Sequence, residues 1–401
     1  MKRKQFILLL LMLPIAAQGQ YVSLYAGRKG LRLDLDADRG WTYNLYEHSR
    51  WGAGLRLTLP PSKTNGDVVA LSAHAGYGMH DKQWKYGLGA SVRLGRSDHD
   101  ALISASVGRD YHAAANRRLH GSGISDLAGM STLMTRRMSE RTGATVAYGW
   151  RTDSTRHTLA ASLFAGGRLF GGNGLLYRTA GDAIDEEDGA TLQWHAAHSS
   201  GIEARLTLGA SWPQQKTVVQ LLAQYTKQVP AGPFTLHLYA QTGLTPANTP
   251  YTYMFDLGGT YGAPLYFSAT LLTAAPNEFT ANAFFLVTPR LVLTRPLYRL
   301  WDDVVQLGSA PRPFAGLAAC WGSLWGSRAD GSMNYEGLDL QAPQLGIAEA
   351  VAGVESLVRW GVIDLGAALA YRFAPPSATY HHAQPWLNLA VMLTATANLD
   401  F

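Results

Sequence analysis

Apolar and polar residues alternate along much of this chain. From 387 to 401, Leu387, Leu389, Val391, Leu393, Ala395, Ala397, Leu399 and Phe401 form one series, and Asn388, Thr394, Thr396, Asn398 and Asp400 fall between them. A period of two is the signature of a β-strand with one oily and one wet face. The pattern recurs in 202–212, where Ile202, Ala204, Leu206, Leu208, Ala210 and Trp212 alternate with Glu203, Arg205, Thr207 and Ser211. It recurs again in 84–94 and 31–38, and in the stretches Ala53 to Leu59, Ala101 to Val107, Ala144 to Trp150, Val219 to Tyr225, Phe234 to Ala240 and Ile363 to Phe373. Several of these exceed the usual strand length of about 5–6 residues.

Crossing a bilayer at a tilt takes strands of about 9–11 residues. Aromatic residues gather at the ends of the alternating stretches, as with Trp51, Trp84, Tyr86, Trp150, Trp212, Trp386 and Phe401. Such girdles mark the two membrane interfaces of a barrel. Hydrocarbon offers no partner to an open sheet edge, so a spanning sheet must close on itself. The pattern therefore predicts an all-β fold, a transmembrane antiparallel β-barrel of about 12–16 strands, with 16 the preferred figure. A soluble secreted β-sandwich that binds a ligand also alternates, and is the alternative. Tight turns are expected at 79–81, 213–215 and 229–233. The stretches 110–140, 170–190, 294–312 and 326–344 are expected to be extracellular loops or lids, with a short helix near 295–308.

Composition supports the barrel. Charged residues make up 16% of the chain, against roughly 25% in soluble domains. The 42 glycines, 19 tyrosines and 11 tryptophans suit many strands, turns and interfacial anchors. At the start, Lys2, Arg3 and Lys4 precede an apolar run from Phe6 to Ala17, and Ala17-Gln18-Gly19 has the small residues of a cleavage site. That predicts a signal peptide over 1–19 and a single barrel over 20–401. The single cysteine, Cys320, reads as a small apolar strand residue. The net charge of +5 is spread over polar faces and loops. It suits lipid phosphates or a charged lumen and gives no reason to expect nucleic acid.

No catalytic, cofactor or metal residues are assigned. The loop 111–126 holds His112, Arg117, Arg118, His120, Ser122, Ser125 and Asp126. These are the residue types of a serine hydrolase, so a lipid hydrolase is a second alternative. However, "GSGISD" is not a Gly-x-Ser-x-Gly elbow, and the bland reading is a solvated loop. Asp182, Asp185, Glu186, Glu187 and Asp188 lack the spacing of a calcium loop and read as a loop tip. His381 and His382 are adjacent and so poor co-ligands for one metal, and the glycines of 166–174 read as a bent strand or loop. Arg32, Asp34, Asp36, Arg56, Lys85, Arg93, Glu203, Arg205, Asp364 and Arg372 are expected to face the lumen, lining a pore or plugging it.

Three stretches resemble a known family. "YNLYEHSRWGAGLRLTL" and "LSAHAGYGMHDKQWKYGLGASVRL" are similar to the opening hairpins of a Bacteroidota outer-membrane barrel family, and "EAVAGVESLVRWGVIDLGAALAYRF" resembles its penultimate strands. Members usually carry an N-terminal carboxypeptidase-regulatory-like domain, and their barrels are related to the surface-antigen barrels that include BamA and TamA. Here the barrel alone is expected. The resemblance implies the outer membrane of a Gram-negative cell, with lipid and lipopolysaccharide as neighbours. The barrel-assembly machinery is the expected partner, through the final strand ending in Phe401. The expected role is in transport or as a pore, or in envelope structure or biogenesis, with no enzymatic activity and no cofactor. The solute or protein partner stays open.

Overall fold

A computed structural model describes residues 21–25, 31–36, 41–44, 48–95, 101–113, 138–170, 185–212, 215–246, 249, 253–257, 271, 273, 279–293, 311–326, 345–360, 363–373 and 389–397. The strands of the first half are β1 (Tyr21–Tyr25), β2 (Arg32–Asp36), β3 (Trp41–Asn44), β4 (His48–Thr58), β5 (Val68–Gly78), β6 (Trp84–Arg93), β7 (Leu102–Ala113), β8 (Met138–Thr152), β9 (Thr155–Phe170) and β10 (Asp185–His198). Those of the second are β11 (Ile202–Ser211), β12 (Lys216–Ala231), β13 (Phe234–Leu244), β14 (Phe255–Leu257), β15 (Phe279–Val287), β16 (Arg290–Leu293), β17 (Arg312–Gly326), β18 (Leu345–Trp360), β19 (Ile363–Arg372) and β20 (Leu389–Ala397).

All ladders are antiparallel and follow chain order. Three segments extend the line of another. β2 and β3 lie end to end along β4, on Gly54–Thr58 and His48–Trp51. β15 and β16 share the neighbours β13 and β17, and β14 continues the line of β13 along β15. Counting each such group once, from β2 with β3 to β20, gives 16 staves, with β1 an added short strand on β2. The fold is the expected transmembrane antiparallel β-barrel.

Burial is inside out. On β6, Trp84, Tyr86 and Leu88 are 60%, 48% and 61% exposed, while Lys85 between them is 0% exposed. The same inversion exposes Leu163, Leu317 and Val391 on the outer wall and buries Asp34, Gln220, Gln241 and Arg372 within. Water on the outside would make those rows costly, and a sandwich would bury them between its sheets; hydrocarbon outside makes the arrangement favourable.

Connections separate by length. Thr152 to Thr155, His198 to Ile202, Ala231 to Phe234 and Trp360 to Ile363 are tight turns at one end of the barrel. The long connections 114–137, 171–184, 245–278 and 327–344 leave from the other. The hairpin expected at 229–233 narrows to Gly232-Pro233, because β12 pairs with β13 as far as Ala231. Gly232 there takes φ +64°, a conformation suited to glycine.

Two expectations need correction. The stretch 294–312 was expected among the long extracellular loops, but the direction of β16 places the β16–β17 connection at the tight-turn end. The acidic run was expected at a loop tip, yet Asp185–Asp188 opens β10. There Asp188 Oδ1 accepts from the Gly166 backbone N–H at 2.5 Å, tying the acidic run to β9. Gly166 does bend its strand, at φ +63°, beside a register shift. Cys320 is buried on the inner face of β17. Outside the described residues lie the signal stretch, residues 114–126 of the Ser/His/Asp loop, the expected helix near 295–308, His381, His382, Trp386 and Phe401.

Candidate functional site

The lumen has two flanks of different chemistry. On the flank formed by β12 to β19, one cluster of inner-face residues is apolar: Leu222, Phe284, Leu286, Ala318, Cys320 and Ile347. This patch is covered from within. In the connection between β13 and β15, Phe255 and Leu257 of β14 join this cluster from the wall, and the chain then enters the interior, where Leu271 packs against it. The Phe255 and Phe284 rings meet edge to face at 5.1 Å. Gln220 Nε2 donates to the Tyr253 carbonyl at 2.7 Å, fixing the start of the inserted segment to β12.

Its far end is held by a buried pair of opposite charges. Glu349 on β18 and Arg372 on β19 are cross-strand partners. Glu349 Oε2 accepts from the Thr273 backbone N–H at 2.9 Å and from its hydroxyl at 2.6 Å. Arg372 Nε donates to that hydroxyl oxygen at 2.9 Å, and Nη2 donates to the Thr273 carbonyl at 2.8 Å. Each polar atom of Thr273 thus meets a charged partner of matching role. Glu349 is 0% exposed, and charge-assisted bonds in such a dry place are strong.

The flank formed by β4 to β9 is polar and open. Arg50 Nη1 reaches from β4 across two strands to Asp110 Oδ1 on β7 at 2.7 Å, and His74 Nε2 lies 3.5 Å from Asp110 Oδ2. Glycines make this span feasible. A Cβ at Gly76 would stand 2.8 Å from Arg50 Cδ, and one at Gly87 would overlap the His74 ring. Arg141, opposite Asp110 in the β7–β8 ladder, lies over the Phe164 ring at 4.7 Å. Between these groups is a cavity of about 380 Å³, lined by Arg56, Ser72, Ser106, Thr145 and Ser162 among others. At the long-loop mouth, Lys85 Nζ pairs with Asp81 at 2.9 Å, and Gln83 accepts from Arg109. Toward the other end, Gln224 Nε2 donates to Glu203 at 3.0 Å and Tyr239 donates to Gln224 at 3.2 Å.

Of the residues expected in the lumen, Asp34, Lys85, Glu203, Arg205 and Arg372 lie on inner rows with little exposure, and Arg32 Nε donates to Asp34 at 2.6 Å. Arg56 and Arg93 share those rows and are exposed to the open interior. The side chains of Asp36 and Asp364 lie outside the described ones. Sequence reasoning passed over Arg50, His74, Asp110, Glu349 and Thr273. The first three could have been found as charged interruptions of a glycine-and-serine row, and Glu349 as a lone charge between Ile347 and Val351. Thr273 carries no periodic signal.

No catalytic triad forms among the described residues. His198 Nε2 shares a proton with Ser154 at 2.6 Å and Nδ1 with Ser200 at 2.7 Å, but both contacts tie exposed turns together with no carboxylate to orient the ring. Among the described residues no three His, Cys, Asp or Glu side chains gather into a metal-binding group.

No family model matches the chain, and no curated protein matches it in sequence. Solved structures do share its fold. The crystal structure of BamA from Haemophilus ducreyi lacking POTRA domains 1–3 superposes with a TM-score of 0.51 at 10% identity, over 96% of this chain and 76% of that one. CdiB from Escherichia coli gives 0.43 at 11% identity, over 94% and 67%, and CdiB from Acinetobacter baumannii gives 0.42 at 10%, over 87% and 57%.

Proposed function

We propose that this chain is an integral outer-membrane β-barrel that works in transport across that membrane or in envelope biogenesis, with a lumen gated by its own inserted segment. The supporting observation is the buried grip of Glu349 and Arg372 on Thr273 beside an open polar flank. A barrel that served only as a scaffold could fill its interior with apolar side chains alone. Here an open, charge-lined flank runs next to an element fixed by contacts at its two ends, the arrangement a releasable plug requires.

In this reading residues 1–19 are removed on export, the long connections face outward and the tight turns face the periplasm. Lipid and lipopolysaccharide surround the wall, and the assembly machinery engages the final strand through Phe401. The protein does no covalent chemistry and needs no cofactor.

Single-channel recording from the refolded chain in a planar bilayer tests the proposal. The native protein should give small, infrequent openings, and Glu349→Ala should raise open probability at unchanged membrane insertion. A folded Glu349→Ala protein as silent as the native one would leave a sealed scaffold.

A further inference from the structure

The cavity on the polar flank has more order than an open wall requires. Successive ladders set Arg56 opposite Ser72, Ser72 opposite Gly89, Gly89 opposite Ser106, Ser106 opposite Thr145 and Thr145 opposite Ser162. One line of cross-strand partners thus runs from β4 to β9, with a guanidinium at its start and hydroxyls after it. All of these residues line the cavity. Thr145 Oγ1 and Ser162 Oγ are hydrogen-bonded at 2.8 Å, and Ser72 Oγ lies over Gly89, where a Cβ would stand 2.7 Å from it.

A hydroxyl row alone would suit any wet wall; the charge around it does not. Arg141 joins Arg56 in the lining, and among the described lining residues Asp110 is the single carboxylate. Asp110 Oδ1 already meets Arg50 Nη1 at 2.7 Å. Asp34, the cross-strand partner of Arg56, already accepts from Arg32 Nε at 2.6 Å. Arg32, Arg50, Arg56 and Arg141 therefore stand against Asp34 and Asp110, four cations to two anions. Low-dielectric walls focus such a surplus on whatever enters, so an anion is favoured and a neutral guest leaves the surplus uncompensated.

Size and lining narrow the anion. The volume of about 380 Å³ falls in the range of small organic ligands, about 300–1,000 Å³, and exceeds what one inorganic ion fills. A serine or threonine hydroxyl both donates and accepts, as a sugar hydroxyl does, whereas a hydrocarbon acid leaves the row unpaired.

We infer that this cavity binds an anionic sugar, its carboxylate or phosphate on the paired N–H donors of Arg56 or Arg141 and its hydroxyls along the line from Ser72 to Ser162. Such a sugar is the solute of the transport proposed above, the reading on which this assignment rests.

Isothermal titration calorimetry of the purified full chain in non-ionic detergent tests this with glucuronate, glucose 6-phosphate, glucose and cyclohexanecarboxylate. At least one of the two anionic sugars should bind about tenfold tighter than glucose and than cyclohexanecarboxylate. Arg56→Gln with Arg141→Gln should remove that advantage, and Arg56→Lys with Arg141→Lys should restore part of it. Ser106→Ala with Ser162→Ala should weaken the sugars and leave cyclohexanecarboxylate unchanged. Heat-modifiable migration of each variant confirms folding. Glucose or cyclohexanecarboxylate binding as tightly as the anionic sugars overturns the assignment, as does an absence of binding by both anionic sugars or an advantage that survives the double glutamine variant. Binding in detergent needs no opening, so the expected profile beside a silent Glu349→Ala channel would sink the transport reading and leave the anionic-sugar site standing.

Discussion

Glu349 and Arg372 face each other across the β18–β19 ladder and close on the same residue, Thr273, which belongs to neither strand. Removing either charge leaves the other buried and uncompensated, a loss of about 3–5 kcal/mol. Arg372→Ala and Glu349→Ala should each lower stability by that order, measured by denaturant titration of heat-modifiable migration. The double variant should lose less than the sum, because the two act as a unit.

The glycine beneath His74 sets a steric prediction. Gly87→Val places a branched side chain where the imidazole lies. Overpacking of this kind costs about 1–3 kcal/mol. Gly89→Ala meets only the Ser72 hydroxyl, at 2.7 Å, which can rotate away, so its cost should be clearly smaller. Unfolding midpoints of the two variants in the same detergent check the ordering.

Adjacent positions on β9 should respond in opposite ways to one charge. Leu163 is 59% exposed on the outer wall, and Leu163→Arg should cost about 2–4 kcal/mol of folding into bilayers. Ser162 borders the polar cavity, and Ser162→Arg should fold at near-native yield. Refolding yield into vesicles reads both.

Lumenal charge should set ion preference. Arg56 is an exposed cation lining the cavity. Arg56→Glu should shift the reversal potential under a salt gradient toward cation selectivity, with stability little changed.

Cys320 reports on the inserted segment. It is 2% exposed and packs in the cluster that contains Phe255 and Leu271. A maleimide should label it slowly in the native chain, and much faster in Glu349→Ala if release of Thr273 uncovers the wall. Equal rates in both would place the grip on Thr273 outside the opening motion.

The wall was legible from sequence because a single alternation governs it. Trp84, Lys85 and Tyr86 declare their faces by chemistry alone, since lipid takes two of them and the interior the third. β15 hides its faces. In "FTANAFFLV", Phe285 meets lipid while Phe284 and Leu286 meet the inserted segment, so both faces are apolar and the period fades. The grip on Thr273 was illegible for another reason. It joins positions separated by 76 and 99 residues, and its central member lies in a connection with no repeat to fix where it folds. The acidic run of β10 was misread because local charge suggested solvent, whereas the partner of Asp188, the Gly166 backbone N–H, sits on the neighbouring strand.

Gly76 and Gly87 have a consequence for the bore. Each leaves room for a side chain from the next stave to lie down on the wall, Arg50 at the first and the His74 ring at the second. Long polar groups thus run along the circumference there and take less of the cross-section than they would standing upright.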